Sequence, residues 1–212
     1  HTLDDTGEDV IPDSTESNRP PADLTLSQFS IDGDLQNLIP FIKLAQAVKP
    51  DIRFWAVPWT PPVWMKSGYA KTDPAGAAAK RPSYYDGGNL KGDDEILAAY
   101  GQYFVKFVQA YHAQGINVEF VGPQNEPVGA HTYPSCAWDK DVYTNFIGKY
   151  LGPALDNAGL STKIMLGGSF DDSKDTAFAN AVLADPVAAG YCAVAGLGYD
   201  MVTPSKVAAI KS

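Results

Sequence analysis

The sequence predicts an α/β fold in which helices cover a parallel sheet. Three observations carry that reading. Short apolar runs at 52–57, 118–121, 163–169 and 193–199 read as strands buried on both faces. Between them lie longer segments with apolar residues at helical spacing. From the first run onward the order is strand then helix, four times over, the pattern of parallel strands joined by helical crossovers. No Gly-x-Gly-x-x-Gly follows the first strand and no phosphate loop occurs, which disfavours nucleotide-binding versions of the fold.

Each element follows from its residues. Residues 1–33 have little periodicity and many turn formers (Asp13-Ser14, Asn18-Arg19-Pro20-Pro21, Asp32-Gly33), and read as a long loop. Asp34 is expected to cap a helix with Leu35, Leu38, Ile39, Ile42 and residues 44–47 on its apolar face, Pro40 fitting only in its first turns. Pro58 ends the first strand. Trp59-Thr-Pro-Pro-Val-Trp-Met65 follows, then a loop to Gly92 expected to shape one wall of a cleft. Asp93 or Asp94 starts a strong helix through Ile96, Leu97, Tyr100, Phe104, Phe107, Val108 and Tyr111, stopped by Gly115. The strand 118–121 stops at Gly122-Pro123. A helix begins near Asp139, carries Val142, Tyr143, Phe146, Ile147, Tyr150 and Leu151, and stops at Gly159. After the strand 163–169 come a short helix at 176–183, ended before Pro186, the strand 193–199 and a final helix from Thr203.

Composition narrows the function classes. At 212 residues and 45% hydrophobic, the chain has enough apolar residues for a sizeable core. A formal charge of -9 argues against nucleic acid or an anionic membrane as partner and fits a neutral ligand. No apolar run approaches the length of a membrane span. The N-terminus, His1-Thr-Leu-Asp-Asp5, is not a signal peptide. Two cysteines are too few for a disulfide scaffold, and neither their spacing nor that of His1, His112 and His131 suits a metal, so no cofactor is expected. Few lysines with abundant Gly, Pro, Tyr and Trp match a secreted carbohydrate-active protein.

The chemistry-bearing stretch is Phe120-Val-Gly-Pro-Gln-Asn-Glu-Pro-Val128. It places an amide, Asn125, and a carboxylate, Glu126, at the end of a buried strand between two prolines, which fixes their direction. A solvated loop acid is the other reading of Glu126. Trp59, in a rigid loop beside Pro61-Pro62, offers a flat apolar surface to the C–H face of a sugar ring; burial in the core is the alternative, and it is the expectation for Trp64. Glycoside hydrolysis with retention needs two carboxylates about 5 to 5.5 Å apart. Glu126 suits the proton donor. Asp171, Asp172 and Asp200 follow strands but are weak candidates for the second carboxylate, Asp171-Asp172 reading as a solvated turn. His112 is expected to be solvated and His131 to be a plain loop residue.

At these residues the sequence resembles glycoside hydrolase family 30, which includes glucosylceramidases and β-1,6-glucanases. Trp59-Thr-Pro-Pro-Val-Trp-Met-Lys66 is similar to the family's W-[ST]-P-P-x-W-[ML]-K. Tyr103-Phe-Val-Lys-Phe107, Pro123-Gln-Asn-Glu-Pro127, Tyr133-Pro-Ser-Cys136, Leu151-Gly-Pro-Ala-Leu155 and Val182-Leu-Ala-Asp-Pro186 continue the likeness in order. The resemblance implies an eight-stranded (β/α) TIM barrel, usually with an appended β-sandwich, of which residues 1–212 supply the third to sixth βα units of the catalytic domain. It implies a retaining mechanism in which Glu126 is the general acid/base, Asn125 contacts the 2-hydroxyl and Trp59 lines the subsite of the non-reducing sugar. Asp5, or less well Asp4, matches an aspartate that holds sugar hydroxyls. Leu197-Gly-Tyr-Asp200 keeps the tyrosine of a His-x-Tyr-like motif but not its histidine, so Tyr199 is expected to line the site. The nucleophilic glutamate belongs to the seventh strand, outside this sequence. On the same map Cys136 and Cys192 lie at opposite faces; a disulfide needs Cα atoms within about 7 Å whereas a strand spans roughly 17 Å, so they are expected to be unbonded.

The expected function is therefore hydrolysis of a β-linked glucoside or glucan, the substrate being a carbohydrate or glycolipid, by a secreted enzyme completed by the remainder of its barrel. The alternatives are a non-catalytic carbohydrate-binding barrel and a related hydrolase acting on xylan or galactan. For the 212 residues alone no hydrolysis is expected, because an open sheet exposes strand edges and lacks the nucleophile. An assay of the purified chain against aryl β-glucosides and β-linked glucans checks this, and detectable turnover refutes it.

Overall fold

Helical crossovers force consecutive strands to lie parallel and adjacent, and that is the arrangement found. A computed structural model of the chain describes residues 21–67, 87–129, 134–167 and 173–196. Its elements are α1 (Asp32–Gln36), α2 (Leu38–Val48), β1 (Phe54–Ala56), β2 (Lys66–Ser67), β3 (Asn89–Leu90), α3 (Asp94–Ala113), β4 (Val118–Val121), α4 (Lys140–Asn145), α5 (Gly152–Asn157), β5 (Lys163–Leu166), α6 (Ser173–Ala184), α7 (Pro186–Tyr191) and β6 (Cys192–Ala195). Strands β1, β4, β5 and β6 pair in parallel in that order. All four fall on the predicted apolar runs. The expected final helix from Thr203 lies outside the described residues.

One sheet face carries the core. Phe54, Ala56, Val118, Val121, Ile164 and Leu166 pack with the helices. The other face is not the apolar surface the sequence pattern predicts. It carries Trp55, which is 60% exposed, and an ion pair between Arg53 and Glu119, the guanidinium standing 5.7 Å from the centre of the Phe120 ring.

Helix α3 is the central support. Asp94 and Glu95 in its first turn complement the positive end of the helix dipole. At its other end Gly115 takes a left-handed φ of 70°, its N–H bonding His112 O at 2.8 Å and the Ile116 N–H bonding Tyr111 O at 3.0 Å. This is a Schellman ending, the reason a glycine stops the helix. Tyr100 of α3 stacks on Phe146, with ring centres 5.2 Å apart, and Trp138 meets the Tyr143 ring edge-on at 5.4 Å. Each such pair contributes about 0.5–1.5 kcal/mol beyond burial.

Several expectations are corrected. Asp34 does not cap a helix: it lies buried inside α1 and accepts the Tyr111 hydroxyl at 2.8 Å. The break comes at Asn37, which puts Pro40 in the first turn of α2, where its missing N–H and its clash with the carbonyl four residues back do no harm. Only Ile39 of α2 is fully buried; Phe41, Leu44 and Val48 are 70%, 67% and 89% exposed, because no described element covers that side. The helix expected from Asp139 to Gly159 is instead α4, a π-helical turn at Phe146–Leu151 and α5. Pro153 cannot donate to the carbonyl four residues earlier, and the wide turn just before it absorbs the mismatch. Pro186, read as a stop, is also a start: Asp185 caps α7 by accepting from the N–H groups of Val187 and Ala188, with Pro186 in the first turn. The short antiparallel pair β2–β3 has too few residues to show a period and was not expected. Strand β5 ends at Leu166, before Gly167 with a φ of 72°.

Cys136 and Cys192 are unbonded, as expected, and burial pushes each thiol up to about 12. Among the described residues no helix is long and apolar enough to cross a membrane.

Among the described residues the buried Tyr100 hydroxyl meets no hydrogen-bond partner. An orphaned buried polar group costs about 1–3 kcal/mol. Tyr100→Phe is therefore expected to raise the thermal midpoint, with a gain of about 1 kcal/mol. Calorimetry on both forms checks this, and a loss of that size would mean the hydroxyl has a partner.

Candidate active site

In a parallel α/β sheet, side chains that do chemistry sit on loops beyond the C-terminal strand ends. The loops after β1 and β4 begin rich in proline, at Pro58, Pro61, Pro62, Pro123 and Pro127. Such segments lack backbone donors and depend on donors from elsewhere. Two backbone bonds extend the pairing past the strands: the Gly122 N–H to Ala56 O and the Asn125 N–H to Pro58 O, each 2.9 Å. Asn125 and Glu126 thus sit directly beside Pro58 and Trp59.

The next donor is a side chain. Gln124 is wholly buried, and its Nε2 donates to the carbonyls of Trp59 at 2.7 Å and Asn125 at 2.8 Å. Its Oε1 accepts from the Trp138 indole N–H at 3.4 Å. Two carbonyls on one side and an indole N–H on the other admit a single orientation of the amide. The Trp138 backbone N–H in turn holds Pro127 O at 2.8 Å.

A second tie lies deeper. Lys66 is buried, its ammonium donating to Thr60 Oγ1 at 2.7 Å and Ser135 O at 2.9 Å. The Leu90 N–H to Ala137 O bond at 3.0 Å and the Ala137 N–H to Gly88 O bond at 2.9 Å stitch β3 to the same loop. The loops after β1 and β4 are therefore joined at three levels.

Glu126 is half-buried and has a φ of 45°, the left-handed region that a side chain with a Cβ rarely takes. Such strain, of the order of 1–3 kcal/mol, persists only where the surroundings fix the backbone, and it concentrates at functional positions. Trp59 is 39% exposed whereas Trp64 is buried, so the two tryptophans of one loop divide into a surface for contact and a packing residue. Trp59 and Asn125 close one end of a cavity of about 300 Å³ that continues along β1 past Trp55 to Phe107 and Ile116. Most of its lining is apolar, with Asn125 and Tyr111 among the side chains that carry polar atoms.

Of the residues singled out from sequence, the structure brings Asn125, Glu126 and Trp59 onto adjoining loops. Asp4, Asp5, Tyr199, His131, Asp171, Asp172 and Asp200 lie outside the described residues. His112 is exposed, as expected. Among the described residues no group of three His, Cys, Asp or Glu side chains is placed to hold a metal. Sequence reasoning quoted Gln124 and Lys66 within their motifs but gave them no role.

Comparison with known proteins places these features in a family. Residues 14–207 match the glycosyl hydrolase family 30 TIM-barrel domain. A putative glucosylceramidase 4 of Caenorhabditis elegans is 36% identical over 181 residues, covering 80% of this chain and 32% of that protein. An endo-1,6-beta-D-glucanase of Neurospora crassa is 30% identical over 188 residues, covering 85% and 36%. A solved endo-beta1,6-glucanase structure superposes with a TM-score of 0.69 at 29% identity, covering 81% of this chain and 38% of that one. The chain spans about a third of the length of these relatives.

The close approach of the loops gives a test. A Cβ at Gly122 would stand 2.8 Å from both Gly167 O and Val57 Cγ2, the first of which is backbone. Gly122→Ala is expected to destabilise by about 1–3 kcal/mol, since strand ends rather than a side-chain tip must give way. Denaturant titration checks it, and an unchanged midpoint would mean the strand ends are free to separate.

Proposed function

This chain belongs to glycosyl hydrolase family 30, and from that membership we propose a retaining β-glycoside hydrolase acting on a β-linked glucoside or glucan. The observation that carries the proposal is the fixed pair Asn125–Glu126 beside the exposed indole of Trp59. Glu126 is the general acid/base. A second carboxylate, from another strand end of the barrel, attacks the anomeric carbon as Glu126 protonates the departing glycosidic oxygen, so the C–O bond breaks and the leaving group departs neutral. Glu126, now ionised, takes a proton from water as its oxygen attacks the anomeric carbon, and the bond from that carbon to the enzyme carboxylate breaks. Two displacements at one carbon retain its configuration.

The other roles follow from chemistry. The Asn125 amide offers both a donor and an acceptor to the hydroxyl next to the reacting carbon. Trp59 offers a flat apolar face to a pyranose ring. Asp5 and Tyr199 are proposed as further sugar contacts. The relatives' names, a glucosylceramidase and an endo-1,6-beta-D-glucanase, both carry a glucose unit, β-linked in the second. A glucan polymer does not enter a cell, so secretion belongs to the glucan form of the proposal.

Replacing the proton donor separates the roles. In the full-length protein Glu126→Gln is expected to lower kcat/KM on an aryl β-glucoside or a β-1,6-glucan by about 10²–10⁴. Trp59→Ala is expected chiefly to raise KM. Steady-state kinetics together with NMR of the first-formed anomer test the proposal; normal turnover by Glu126→Gln, or an inverted product, sinks it.

A further inference from the structure

We infer that Gln124 is a positioning residue that makes the sugar wall at Trp59 and the Asn125–Glu126 pair a single unit, an inference that rests on the function proposed above. Both polar atoms of its amide are engaged within the protein. Both Nε2 hydrogens go to the Trp59 and Asn125 carbonyls and Oε1 takes the Trp138 indole. Wholly buried, it has no atom left for substrate and acts only through what it holds.

What it holds is specific. The Asn125 carbonyl belongs to the peptide plane that leads into Glu126. Fixing that plane while Trp138 fixes Pro127 O sets the backbone on both sides of Glu126, at the left-handed φ of 45°. The Trp59 carbonyl, held by the same nitrogen, sets where the indole leaves the chain. A sugar seated on Trp59 therefore meets Glu126 at a distance decided by one amide. Pro58 and Pro61 flank this stretch and donate nothing to hold it, so no backbone N–H of theirs substitutes for Nε2.

The chemistry of the position gives a readout that a merely structural role would not move. Gln124→Leu removes the one donor that the Trp59 and Asn125 carbonyls share. Gln124→Glu has the same shape, but its ionised form faces two carbonyl acceptors with no hydrogen to give. Protonated, it restores one of the two bonds. The surroundings favour the protonated form, so function in this variant is present at low pH and is lost as pH rises through the ionisation of the introduced carboxyl.

The test uses the full-length protein, with both variants folded at the assay temperature by circular dichroism. Gln124→Leu is expected to lower kcat on an aryl β-glucoside about 10- to 100-fold, the scale of a small displacement of reacting groups. Gln124→Glu is expected to stay within about threefold of wild type at acid pH and to gain an extra falling limb in its kcat–pH profile. Amide exchange by mass spectrometry should show 57–62 and 123–129 losing protection together in Gln124→Leu while 94–113 is unchanged. A kcat–pH profile for Gln124→Glu parallel to wild type overturns the inference, as does loss of protection in one segment only. If the wild-type protein turns over neither aryl β-glucoside nor β-1,6-glucan, the function proposal fails instead, and the exchange experiment still decides whether Gln124 couples the two loops. Should Gln124→Leu not fold, the pH profile and exchange of Gln124→Glu above its carboxyl ionisation decide the same question.

Discussion

The hydrogen-bond ladder between β1 and β4 outlasts the strands themselves, and the arrangement at their C-terminal ends depends on that continuation. Backbone bonds from Gly122 and Asn125 carry the pairing two residues past β1, to Pro58, and four past β4, to Asn125. Beyond them, proline deprives both loops of donors. Three side chains take over: the Gln124 amide, the Lys66 ammonium and the Trp138 indole. Backbone groups buried without partners are costly, so polar side chains placed inside a proline-rich loop are a structural necessity here before they are anything else.

The same constraint explains where strain is tolerated. Glu126 takes a disfavoured backbone conformation in the segment most tightly held from outside. The stabilising counterpart lies further down, in the aromatic cluster of Tyr100, Trp138, Tyr143 and Phe146 against α3. Trp138 belongs to both, its ring in the cluster and its two N–H groups on the loop. Rigidity is thus passed from a close-packed core to the acid/base candidate through one residue.

The sheet face away from the helices completes the picture. In a TIM barrel that face is the barrel interior, filled by side chains from several strands. Trp55, the Arg53–Glu119 pair and Phe120 stand there, and Phe41, Leu44 and Val48 form an apolar stripe on α2.

The parallel order of the strands, the limits of β4 and the full length of α3 with its glycine ending were legible because each rests on local rules: apolar period and a left-handed glycine. Less legible were the break at Asn37, the π turn before Pro153 and the second role of Pro186. Each depends on how a proline is accommodated, and proline allows both a stop and a first turn. At the site, sequence marked Asn125, Glu126 and Trp59 because residues of their type at a strand end are conspicuous. Gln124 and Lys66 were overlooked because their function is to satisfy carbonyls from a different loop, and no sequence rule says which carbonyls will lack a donor. The sequence by itself determined the strand–helix alternation and the residues able to do chemistry, since both follow from side-chain type and spacing. Only the tertiary structure decided that the loop carrying Trp59 and the loop carrying Glu126 share one buried amide, because that pairing joins residues 65 positions apart and exists only once β1 and β4 lie side by side.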